Sequence, residues 1–149
     1  MLPPFESTGR LPQGIHPTTW PAFVERFGTS AQRREHLTKL EAALRLLRHA
    51  GCPRVFVGGS FVTDKREPGD VDVAWDITGV DVDRLDVIFL DFDDERASQK
   101  RRFAAEFFPA QLVEGVTGRS FLRFFQYTHD DEPVGIVAVG LETIPWEVV

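Results

Sequence analysis

Cysteine is nearly absent. Cys52 is the only one, so no internal disulfide can form, and the expected setting is a reducing cytoplasm. The four histidines, His16, His36, His49 and His129, are scattered without zinc-ligand spacing. No stretch approaches the ~20 apolar residues of a membrane span, so no membrane partner is expected. The opening "MLPPFESTGR" has no basic region followed by an apolar one, and it does not read as a secretory signal. Internal repeats and low-complexity linkers are missing too. So are the Gly-x-x-x-x-Gly-Lys-Ser/Thr loop, the Gly-x-Gly-x-x-Gly turn and the Gly-x-Ser-x-Gly nucleophile elbow. Positive charge is in deficit: the formal net charge is -6. A general coating of DNA or RNA, which works by neutralising phosphates, is therefore not expected.

What the chain does have is enough apolar material for a core, 42% of its residues with 13 phenylalanines among them. Its 149 residues suit one domain. Residues 1–17, rich in proline, read as an extended arm, residues 18–50 as a helical lead-in and 51–149 as the core. Residues 19–27 predict a short helix capped by Thr19, with Trp20, Phe23, Val24 and Phe27 on one face. Residues 31–49 predict a longer one. Ser30 caps it, Leu37, Leu40, Leu44 and Leu47 form its buried stripe, and Arg33, Arg34, Glu41, Arg45 and Arg48 face out. Residues 54–58 and 70–75 read as strands. Further helices are expected at 81–90, with Val82, Leu85, Ile88 and Phe89 inward, at 93–103 and at 119–127. Further strands are expected at 104–113, interrupted at Pro109, and at 134–141. The phenylalanines of "FLRFFQY" read as core, and the acidic run from Asp76 to Glu95 as a solvated face. Strands alternating with helices give an α/β or α+β class with a small mixed sheet flanked by helices.

Residues 55–76, "VFVGGSFVTDKREPGDVDVAWD", carry the chemistry. Side chains alternate along a strand, so Asp70 and Asp72 project to the same face. Two unit charges ~4 Å apart repel by about 4 kcal/mol at an effective dielectric near 20. A Mg²⁺ or Mn²⁺ ion relieves that repulsion, taking one or two carboxylates, waters and substrate phosphate oxygens. Gly58 and Gly59 allow a sharp turn and close approach of a ligand to the main chain. Ser60 would begin a turn whose free N–H groups suit phosphate. Lys65 and Arg66 lie in the following loop, as phosphate ligands or as solvated charges. This set suits phosphoryl or nucleotidyl transfer.

The segment "GGSFVTDKREPGDVDV" resembles the signature of the polymerase-beta-like nucleotidyltransferases: an apolar strand, Gly-Ser, a basic loop, then Asp-x-Asp on the next strand. The spacing is similar to that of the short minimal nucleotidyltransferases, and the helix at 31–49 is similar to their opening helix. The whole chain, with "GSFVTDKREPGDVD" and "FFPA", looks like a group of short bacterial proteins assigned to this fold. The resemblance implies that Asp70 and Asp72 bind catalytic metals, Mg²⁺ or Mn²⁺, and that Gly59 and Ser60 hold a nucleoside triphosphate. It also implies a third carboxylate on a later strand. Glu106 in "FAAEFFPA" stands there, with Glu114 and Asp91 as rivals. The acceptor hydroxyl is left open between a small molecule, an RNA end and a partner protein. So is a silent module that binds a nucleotide or a partner protein, in a toxin–antitoxin or defence role.

Overall fold

In the computed structural model, residues 2–146 are described. Five strands make one mixed sheet: β1 (Gly14–Thr18), β2 (Arg54–Gly58), β3 (Val71–Trp75), β4 (Ala105–Pro109) and β5 (Gly135–Gly140). Their spatial order is β1-β5-β2-β3-β4. The two outer pairs, β1 with β5 and β3 with β4, are parallel, and β2 runs antiparallel to both its neighbours. Four helices accompany the sheet: α1 (Trp20–Phe27), α2 (Ala31–His49), α3 (Asp93–Phe103) and the single turn α4 (Phe121–Phe124). This is the expected α+β arrangement of a small mixed sheet flanked by helices. No helix among the described residues is long and apolar enough to cross a membrane.

The local signals in the lead-in act as their chemistry predicts. Thr19 Oγ1 accepts from the Ala22 amide at 3.3 Å, and Ser30 Oγ from the Arg33 amide at 3.1 Å, satisfying donors that a helix start leaves open. Gly51 follows α2 at a φ of +98°, a left-handed conformation that suits glycine. Leu37, Leu40, Leu44 and Leu47 are buried, as the stripe requires.

Alternation along the strands divides the sheet into two faces. Val55, Val57, Val71, Val73, Phe107, Val137 and Val139 point to one face and pack against α1, α2 and the end of α3 in the main core. Phe56, Ala74 and Ile136 point to the other, where a smaller cluster with Phe125 and Ala110 covers them and Phe108, Leu122 and Phe124 pack against it. The phenylalanines of 119–127 thus serve packing. By the same alternation, Asp72 and Glu106 belong to this second, thinly covered face.

Several expectations need correction. The arm is not extended throughout: Gly14–Thr18 adds a parallel edge strand to β5. An edge position tolerates Pro17, because an edge strand carries a ladder on one side only. Residues 81–90 do not form an α-helix. Asp81 and Asp86 accept from the amides two residues on, Asp83 and Ile88, and these local bonds compete with a helix. Only a 3₁₀ turn, Val87–Leu90, follows, and Val82 is exposed rather than inward. The helix expected over 119–127 shrinks to the turn α4: Ser120 caps its start by accepting from the Arg123 amide, and the Gln126 and Tyr127 amides turn back to the Arg123 and Phe124 carbonyls instead of continuing it. The strand expected over 104–113 ends at Pro109. Arg33, placed on the outer face of α2, is almost fully buried, with 2% of its surface exposed.

Candidate functional site

One row of the sheet carries the candidate chemistry. Gly58 at the end of β2 pairs with Asp72 on β3, and Asp72 pairs with Glu106 on β4. The Cα atoms of such neighbours lie about 4.8 Å apart, and in register their side chains leave the sheet on the same side. Asp70 immediately precedes β3. Sequence reasoning placed Glu106 as the third acid; the parallel β3–β4 register brings it beside Asp72. Its rivals have other tasks. Glu114 accepts from the Val116 and Thr117 amides in its own turn, and Asp91 accepts from the Asp93 amide and the Ser98 hydroxyl at the start of α3.

The glycine turn meets the row at Asp72. Gly59 opens a 3₁₀ turn, Gly59–Val62, at a φ of +73°. A Cβ added at Gly59 would stand 2.5 Å from Asp72 Oδ2, so the carboxylate lies directly against the Gly59 main chain. Gly59→Ala is therefore expected to cost about 1–2 kcal/mol, from left-handed strain and from displacing Asp72. The urea unfolding midpoint measures it, and an unchanged midpoint would contradict the packing. Gly58 serves differently: a Cβ there would press on the Phe125 ring at 3.3 Å. The Ser60 hydroxyl has no protein hydrogen-bond partner among the described residues, and its carbonyl accepts from Thr63.

The electrostatics single out Asp72. It makes no hydrogen bond and no ion pair among the described residues, although it is largely buried. Burial pushes its carboxyl up from 3.8 to about 6, and the charges of Glu106 and Asp70 push the same way, against Lys100 and His129. Glu106 is engaged instead: its Oε1 lies 3.1 Å from Lys100 Nζ. Arg96 also bears on Glu106 while donating from Nε to the Phe107 carbonyl and lying 3.8 Å from the centre of the Phe108 ring. Lys65 and Arg66 are exposed in the loop, and their side chains make no hydrogen bond or ion pair among the described residues.

Carboxylate oxygens are the right donors for Mg²⁺ or Mn²⁺. Asp70 is exposed just before β3, near enough for its charge to act on Asp72, which has no hydrogen-bonded or ion-paired partner of its own among the described residues. A complete three-ligand group is not present: among the described residues no three His, Cys, Asp or Glu side chains stand close enough to hold a metal. Lys100 occupies Glu106 in that arrangement.

The pattern of DUF6932, a family of unknown function, matches residues 3–140, a span that takes in all five strands. The chain belongs to DUF6932. No curated protein and no solved structure gives a significant match. In this DUF6932 chain, sequence reasoning missed two cations beside the site, Lys100 and Arg96, and a third, Arg33, elsewhere in the fold. Lys100 and Arg96 were legible only as charges on a helix, Lys100 in the last turn where basic residues suit the dipole. Arg33 was read as a surface residue. It lines a cavity of about 200 Å³ with Phe5, Arg26 and Asp64, which none of the three acids touches. The acidic row is the better candidate, because every Arg33 donor already has a carbonyl partner.

Proposed function

We propose that this protein is a divalent-cation-dependent nucleotidyltransferase of the polymerase-beta-like type, moving a nucleotidyl group from a nucleoside triphosphate to a hydroxyl. Asp72 carries the reading: a largely buried carboxylate without hydrogen bond or ion pair, beside Glu106 and against the Gly59 main chain. Such a group is costly unless a cation joins it. Asp70 and Asp72 would hold a Mg²⁺ or Mn²⁺ ion, with Glu106 in the place of the third acid. The bound ion would neutralise the triphosphate and the pyrophosphate it releases.

The Gly59–Ser60 main chain and the Ser60 hydroxyl offer donors to phosphate oxygens. Lys65 and Arg66, exposed on the loop that joins this turn to β3, add positive charge for the triphosphate. In the transfer, the acceptor oxygen bonds to the α-phosphorus. The bond from that phosphorus to the bridging oxygen of the β-phosphate breaks, and pyrophosphate leaves with its electron pair. The hydroxyl proton goes to a carboxylate of the row or to water. A cytoplasmic location, where nucleoside triphosphates are made and used, goes with this reading.

A second reading has its own observation. Glu106 is paired with Lys100, and the three acids are not gathered. That favours a module that holds a nucleotide or a partner protein without turnover, in a toxin–antitoxin or defence setting.

Incubation with Mg²⁺, nucleoside triphosphates labelled at the α-phosphate and cell extract separates the two. The transferase labels RNA, protein or a small molecule, and Asp70→Asn with Asp72→Asn abolishes the labelling. Mg²⁺-dependent nucleotide binding without labelling identifies the module. Absence of both refutes the nucleotide site.

A further inference from the structure

The ion pair between Lys100 and Glu106 is built into the backbone. Lys100 lies in the last turn of α3, whose end is closed by the Ala104 amide donating to the Lys100 carbonyl at 2.9 Å. Ala104 then adopts a left-handed conformation, φ 51° and ψ 38°, and turns the chain directly into β4. This reversal sets residues 100 and 106 side by side, 3.1 Å apart at their charged ends. The pair is partly open to solvent, with side-chain exposures of 34% and 24%.

Lys100 bonds Glu106 alone among the described acids, and its charge also bears on Asp70, Asp72 and Glu95. Arg96 cannot take that part: its guanidinium is committed to the Phe107 carbonyl and to the rings of Phe92 and Phe108. His129 bears on Asp72 from an exposed position. A carboxylate oxygen that already accepts from an ammonium is a poorer metal ligand, because a second cation there would be repelled by the first.

We propose that Lys100 is a built-in counter-ion that replaces the second of two metal ions, so that the site takes one divalent cation, on Asp70 and Asp72. Lys100 is thereby a positioning residue: it holds Glu106 and sets how many ions the row accepts. This rests on the metal-dependent reading above.

The test counts bound Mn²⁺ on the full chain, from the loss of the free-ion paramagnetic resonance signal, with and without adenosine triphosphate. The wild type is expected to bind one ion per chain. Lys100→Met and Lys100→Gln are expected to bind two, or to bind the first about tenfold more tightly. Lys100→Arg should stay at one. Adding Glu106→Gln to Lys100→Met should return it to one, whereas Glu106→Gln alone should leave the count unchanged. Circular dichroism verifies that each variant is folded. Two ions in the wild type, or no change in both neutral variants, overturns the inference and leaves the nucleotide reading standing. No Mn²⁺ bound by the wild type or by either neutral variant, with or without adenosine triphosphate, overturns the metal-dependent reading and this inference with it.

Discussion

Arg33→Met is expected to lower the unfolding free energy by about 3–5 kcal/mol, a fall in melting temperature of about 6–20 °C for a chain of this length. The reason is the use the fold makes of one side chain. Its Nε donates to the Lys65 carbonyl at 3.1 Å. Nη1 donates to the Phe27 and Phe61 carbonyls at 3.3 and 2.7 Å, and Nη2 to the Thr63 and Lys65 carbonyls at 2.9 and 2.6 Å. Five donors thus serve four main-chain acceptors, and the guanidinium lies 4.9 Å from the centre of the Phe61 ring. Removing it strands several buried carbonyls at once. Lysine is no substitute, because an ammonium has three donors and no planar fork, so Arg33→Lys should lose most of the same stability. Three of those carbonyls belong to the chain just after Gly59 and Ser60, and Gln32 Nε2 also donates to the Pro68 carbonyl. Amide exchange at Thr63 and Asp64 should therefore accelerate in the variant. A loss below about 1 kcal/mol with unchanged exchange would show that Arg33 does not hold this loop.

Asp72→Asn should do the opposite. Near pH 8 it is expected to raise the melting temperature by about 2–12 °C, and the gain should vanish near pH 4. The folded protein holds the Asp72 proton up to about pH 6, whereas the ordinary value is 3.8. The folded state therefore binds more protons than the unfolded one across that interval. Stability is complete below the lower value and is lost as pH rises through the upper one. Two units correspond to about 3 kcal/mol, which partial exposure reduces to about 1–3 kcal/mol. At about 2–4 °C per kcal/mol this gives the stated range. Asparagine keeps the shape without the charge. Mg²⁺ at millimolar concentration should stabilise the wild type near pH 8 and leave the variant unaffected. Scanning calorimetry at the two pH values measures both effects. A variant no more stable than the wild type near pH 8 would show that ionised Asp72 is not a burden on the fold.

These two residues illustrate where sequence reasoning reached and where it stopped. Asp72 was legible: it sits in a strand that alternates cleanly, two residues after another aspartate and behind a glycine turn. Its companion Glu106 was legible only through family resemblance, since nothing local distinguishes it from a surface acid such as Glu114. Arg33 was misread because the helix stripe of leucines assigns the remaining positions to solvent. That rule holds until a loop from elsewhere in the chain folds over the helix and brings unpaired carbonyls with it. Val82 failed for a more local reason, the competition of aspartate side chains for main-chain amides.

By itself, the sequence determined what depends on neighbours along the chain: the caps at Thr19 and Ser30, the leucine stripe of α2, the two strands 54–58 and 70–75, and the turn at Gly59. These follow from steric preference and from hydrogen bonds closed within a few residues. Only the tertiary structure decided what depends on pairing across long separations. It made Gly14–Thr18 a strand by giving it β5 as a partner, and it buried Arg33 under the 61–65 loop. It also laid β4 parallel to β3, so that Glu106 stands beside Asp72, and it brought Lys100 onto Glu106. Such contacts are set by the free energy of the whole core, to which the sheet register and the faces of all the helices contribute together, and no local pattern carries that information.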